Sequence, residues 1–97
     1  NVKEATILMQ ESGVFTSFEI NKLQRIYHWL KTSHETSQDK SNKEYLTERA
    51  FLRSEFYGFI VEYDKRYDYK FLDIFPEMRD FYVSCKKARF LNAVSWN

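Results

Sequence analysis

Cysteine, proline and glycine are scarce in this chain of 97 residues, which has one, one and two of them. A single cysteine, Cys85, cannot close an internal disulfide, so the sequence fits a reducing compartment, and the cytoplasm is the expected location. Two glycines, Gly13 and Gly58, are too few for a phosphate-cradling loop or a dinucleotide fingerprint. No stretch approaches ~18 uninterrupted apolar residues, and no charged start leads into an apolar core with a small-residue cleavage site. A membrane partner is therefore not expected. Charge of one sign is missing too: 15 basic residues face 14 acidic ones for a net charge of +1. That balance weakens the case for nucleic acid or an anionic membrane unless the charge is segregated in space.

Aromatic residues are what the chain has in excess. Nine Phe, seven Tyr and two Trp make 19% of it, within a hydrophobic total of 43%. Each buried ring removes roughly 150–250 Å² from water, so a short chain of this kind can still build a large core. Many aromatics with little net charge is the opposite of a disordered composition, and the length suits one domain. The rings also exceed what such a core can enclose, so several are expected at the surface.

The richest apolar stretch runs from Tyr45 to Tyr63. There Tyr45, Leu52, Phe56, Phe59 and Tyr63 recur at the spacing of one helical face, and Leu46, Ile60 and Val61 widen it. The run from Phe56 to Val61 is apolar nearly all round, which predicts a central helix covered on more than one side. The alternative is an α+β fold with a strand at 56–61, since branched and aromatic residues suit a strand and Gly58 costs a helix about 1 kcal/mol. The polar faces of the upstream half, with Ser41 and Glu44 at capping-box spacing, favour the helix.

Taken in order, the chain predicts four helices at roughly 2–12, 16–33, 43–64 and 73–91, an all-α single-domain bundle. Gly13 falls where the first helix would end in a left-handed cap. Thr16 and Glu19 have the capping-box spacing, with Phe15 and Ile20 as a hydrophobic staple, so a second helix starts there. It buries Ile20, Leu23, Ile26, Tyr27 and Leu30. Residues 32–42 contain no apolar side chain and are expected to form a long flexible loop. After the central helix, a connector lies on the core through Tyr67, Phe71 and Leu72. Asp73 is read as capping the last helix, with Pro76 in its first turn. Along that helix Ile74, Met78, Phe81, Cys85, Ala88 and Leu91 form a stripe, and acidic residues early and basic ones late complement the macrodipole. The expected core includes Leu52, Phe56, Phe59, Ile60, Phe81 and Cys85.

Chemistry is hard to place. His28, His34 and Cys85 are not at metal-ligand spacing, and Asp64, Asp68 and Asp73 lack the glycine of a calcium loop, so no metal is expected. Cys85 lies on an apolar stripe, where burial makes a thiol inert. Carboxylates such as Glu62 and Asp64 diverge on a helix, no nucleophile elbow occurs, and neither an enzyme acting alone nor a cofactor is expected. Two basic clusters could meet phosphate, Lys65, Arg66 and Lys70 in one and Lys86, Lys87 and Arg89 in the other. Interleaved acids weaken the first, and the helix dipole accounts for the second.

Surface aromatics are the composition of protein interfaces. The expectation is a non-enzymatic protein-protein interaction, regulatory or adaptor module that docks a partner or self-associates through Trp29, Tyr67, Tyr69, Phe90 and Trp96. A nucleic-acid-binding protein using 65–70 and 86–89 is the alternative. So is a helical fragment of a larger enzyme, the chain beginning with Asn1 rather than Met.

Overall fold

Helix starts follow from side chains able to satisfy the first free amides. The computed structural model describes residues 1–36, 43–67 and 70–95, and the side chains of 1–31, 48–67 and 70–91. Asn1 Oδ1 accepts from the Glu4 amide at 2.9 Å and caps α1 (Val2–Glu11). The chain then turns at Gly13, whose φ of 78° is in the left-handed region expected past a helix end. Ahead of α2 (Ser17–Thr36), the Glu19 amide donates to Thr16 Oγ1 at 3.2 Å and the Thr16 amide donates back to Glu19 Oε1 at 3.0 Å. Both bonds of the expected capping box are made.

α3 (Lys43–Tyr67) is helical throughout and includes the run at 56–61, so the strand alternative is replaced by a helix. The chain turns through the short α4 (Phe71–Ile74) and a 3-10 turn at Pro76–Met78 before α5 (Arg79–Ser95). Asp64 Oδ1 accepts the Phe71 amide at 2.8 Å, which ties the start of α4 to the last turns of α3. Burial raises the Asp64 carboxyl above its ordinary value, against that hydrogen bond. No strand occurs among the described residues, and the fold is all-α. No helix among them is long and apolar enough to cross a membrane.

Three boundaries differ from expectation. α2 continues to Thr36, into the polar stretch read as loop, while residues 37–42 and the proposed cap Ser41 lie outside the described residues. Tyr67 belongs to the last turn of α3 rather than to a connector. The single last helix from Asp73 is instead three pieces, with Asp73 inside α4 rather than capping. Proline pushes the residue before it out of the helical region, and Phe75 has φ −124° and ψ 67°, so no helix can run through it.

The core is layered about α3. Phe56, Ile60 and Tyr63 are fully buried and cluster with Ala5, Met9, Leu23, Ile26 and Phe71 from the flanking elements. On one side Phe59 meets Phe15 at 5.4 Å between ring centroids; on the other Phe56 meets the edge of Phe81 at 5.6 Å. Leu52, Phe56, Ile60 and Cys85 are core, as expected. Phe59 and Phe81 are not: each is half-buried against the core's rim. On the last stripe Met78, Cys85 and Ala88 are buried, whereas Ile74, ahead of the break at Phe75, and Leu91, at the lip of a groove beside Arg49 and Ala50, are exposed.

Gly58 has a packing reason. A Cβ built there would stand 2.7 Å from Arg89 Nη1, the atom that donates to the Ser54 carbonyl at 3.2 Å. The bare backbone at Gly58 thus leaves room for a guanidinium that ties α5 to α3. In an unhindered helix Gly→Ala gains about 1 kcal/mol. That full gain is expected for Gly58→Ala only in an Arg89→Ala background. In the otherwise native chain the gain is smaller, because Arg89 must swing off Ser54, and a double-mutant cycle read by urea denaturation measures the difference.

Candidate docking groove

A groove of about 610 Å³ lies where the start of α2 faces α3. Its floor comes from Phe15, Phe59 and Val61, and Phe18 stands at its edge. Phe18 is 80% exposed, the most of any large apolar side chain among the described residues. α2 is held over this groove by pairs that run antiparallel along α3. Arg66 Nη1 donates to Glu19 Oε1 at 3.0 Å and to the Val14 carbonyl at 3.3 Å, with its guanidinium carbon 5.6 Å from the Phe15 ring centroid. Lys22 pairs with Glu55 at 3.2 Å; within α3 itself Lys65 pairs with Glu62 at 3.8 Å.

These pairs decide the electrostatics of the rim. The Thr16 amide, and after it Arg66, hold the Glu19 carboxyl below its ordinary value, and Glu19 in turn raises Arg66. The acids around the groove are therefore each paired with a base of the chain itself, while Arg89, also in its lining, donates to the Ser54 carbonyl. Tyr57 of the groove lining lies 5.5 Å from Tyr82 behind it, and burial, reinforced by a hydrogen bond with Tyr57, pushes the Tyr82 hydroxyl up to about 12.

The residues singled out from the sequence scatter over this frame. Trp29 is 51% exposed on α2, edge-on to His28 at 6.3 Å. Phe90 is 69% exposed on α5, and Tyr67 is exposed while stacked on Tyr63 at 5.3 Å. Tyr69 and Trp96 lie outside the described residues. The antiparallel pairing of α2 with α3 sets Trp29 and Tyr67 at opposite ends of the bundle, so the structure does not gather these residues into one patch. In the first basic cluster Lys65 and Arg66 are engaged with Glu62 and Glu19, and Lys70 is exposed. In the second, Lys86 and Lys87 are exposed and Arg89 is anchored on Ser54. Among the described residues no group of three or more His, Cys, Asp or Glu could hold a metal ion.

Phe18 was not foreseen, although its signal is in the sequence. Phe18, Lys22, Arg25 and Trp29 follow one another at steps of four, three and four, and all four are exposed. They form the outer face of α2, opposite the stripe that it buries. Eleven residues separate the two rings, which is about 16 Å along a helix axis. No protein-family model, curated protein or solved structure matches the chain.

Proposed function

We propose that this domain is a non-enzymatic protein-binding module, and that it receives an apolar-faced helix of a partner protein in the groove beside Phe18. The observation that carries the reading is the outer face of α2. It presents Phe18 and Trp29 to solvent on either side of Lys22 and Arg25, and its Phe18 end borders a groove lined by the rings of Phe15, Tyr57 and Phe59. Exposed aromatic rings beside an apolar groove are the anchors of helix-in-groove recognition. A rim whose acids are each paired, and whose Arg89 is tied to the Ser54 carbonyl, has little to offer a polyanion, and apolar contact is left to supply the affinity. Binding should therefore depend weakly on salt, where a nucleic-acid complex would weaken steeply.

Phe18→Asp and Trp29→Ala test this directly. Both rings are exposed, so each variant should unfold at nearly the native denaturant midpoint, within about 0.5 kcal/mol. Partners captured by the native domain, at both low and high salt, should be lost from the Phe18→Asp variant and depleted from the Trp29→Ala variant. If self-association is the mode, the sedimentation mass should fall to that of a single chain. Unchanged capture and unchanged mass in both variants would overturn the reading.

A further inference from the structure

Arg89 belongs to α5, yet its guanidinium reaches across α3 into the lining of the docking groove and lies over the bare backbone of Gly58. Nη1 donates to the Ser54 carbonyl at 3.2 Å, and among the described residues Arg89 makes no ion pair. The carboxylates that share the lining are engaged with other bases: Glu19 with Arg66, Glu55 with Lys22, and Glu62 with Lys65 and Arg66. Residues 90–97, which follow Arg89, include no Asp or Glu, so that segment brings it no side-chain carboxylate. We infer, on the reading of this groove as the seat of a partner's helix, that the helix carries one carboxylate, a Glu or Asp at the border of its apolar face, which pairs with Arg89.

A guanidinium carries its N–H donors in one plane, and the bond to Ser54 uses one of them. The rest can hold a carboxylate through two parallel hydrogen bonds, a geometry that fixes register as well as adding affinity. The direction of the group is set before a partner arrives, since Ser54 holds one nitrogen and Gly58 leaves the space it occupies. Little side-chain freedom is then lost on binding. Phe18 comes from α2 and Arg89 from α5, so a helix lying over Phe59 and Val61 meets a ring on one flank and a cation on the other. With Lys22 and Lys65 of the lining already paired, one guanidinium suits a single carboxylate; a phosphate dianion finds no second unpaired cation in the described lining. A pair covered by the docked helix is screened less than an exposed one, which keeps the salt dependence of binding shallow.

Selection of displayed amphipathic helices on the whole chain tests this, with a library that keeps one leucine-rich face and randomises the positions bordering it. Binders of the native chain should carry Glu or Asp at one fixed border position, and Gln at that position in a selected peptide should weaken binding roughly tenfold. Arg89→Gln should still select the apolar face but without the acidic preference, and should bind the Glu and Gln peptides alike. Arg89→Lys should keep a reduced preference, having the charge without the planar fork. Gly58→Ala displaces the guanidinium while leaving its charge in the chain, and should narrow the difference between the Glu and Gln peptides, which a merely structural Arg89 would not do. Binders with no preferred acid, or an acidic preference that survives Arg89→Gln, would overturn the pairing and leave the groove standing. Absence of any helical binder sensitive to Phe18→Asp would overturn the groove itself, and the pairing with it.

Discussion

Mixed with excess maleimide near pH 8, the folded chain should label at Cys85 at least roughly 10³-fold more slowly than the same chain in denaturant. Cys85 is fully buried, and burial pushes its thiol from 9.0 up to about 12, with Arg53 opposing only in part. The thiolate is the reactive species, and a rise of about three in pKa lowers its fraction about 10³-fold before access is considered. Labelling should then follow opening of the bundle. The same shift predicts how stability responds to base. Below about 9 the thiol is protonated in both states; above it the unfolded chain ionises while the folded one resists. Stability is therefore lost progressively as pH rises from about 9 toward about 12, and the raised Tyr82 hydroxyl acts in the same direction over the upper part of that window. Cys85→Ala should remove the thiol's share of this alkaline loss. Rapid labelling of the native protein would show that the sulfur reaches solvent.

Phe56→Ala should cost about 3–5 kcal/mol, and Phe59→Ala clearly less. Phe56 has no exposed surface, and its truncation leaves a hole against Phe81 and the ring of core residues around it. Phe59 touches Phe15 but lines the groove, so solvent and neighbouring side chains can move into the vacated space. Denaturant midpoints of the two variants decide the order, and equal losses would mean that the groove floor is as tightly enclosed as the centre. A loss of about 4 kcal/mol is a large part of the 5–15 kcal/mol that holds a small domain folded.

What was legible in the sequence is what depends on near neighbours along the chain. The capping box at Thr16 and Glu19 and the left-handed turn at Gly13 each involve residues within one helical turn, and both occur as expected. The burial of Cys85 followed from periodicity. Periodicity identifies a face but not its depth, which is why Phe59 and Phe81 were placed in the core and are instead at its rim. The break at Phe75 was readable from Pro76 alone, through the restriction on the preceding residue. Other features had no local signal. Arg66 meets Glu19 across 47 positions, and Arg89 meets Ser54 across 35, so neither the neutralised rim nor the reason for Gly58 could be seen before the helices were brought together. Of the candidate interface residues, Trp29 and Phe90 are exposed as expected, while Phe18 required following Trp29 back along its own face.

The position of α3 between two layers has a consequence for cooperativity. α1, α2 and the turn between them cover one side of it through Met9, Phe15, Leu23 and Ile26, and α5 covers the other through Phe81 and Cys85. Among the described elements, the most extensive contacts of α2 and of α5 are both with α3. If α5 lifts away, Phe56 and Leu52 are exposed to water on a helix that cannot persist half-covered, and the floor under α2 is lost with it. The same holds when α2 detaches. The two layers therefore share one fate, and the domain has no half that could remain folded while the other half opens.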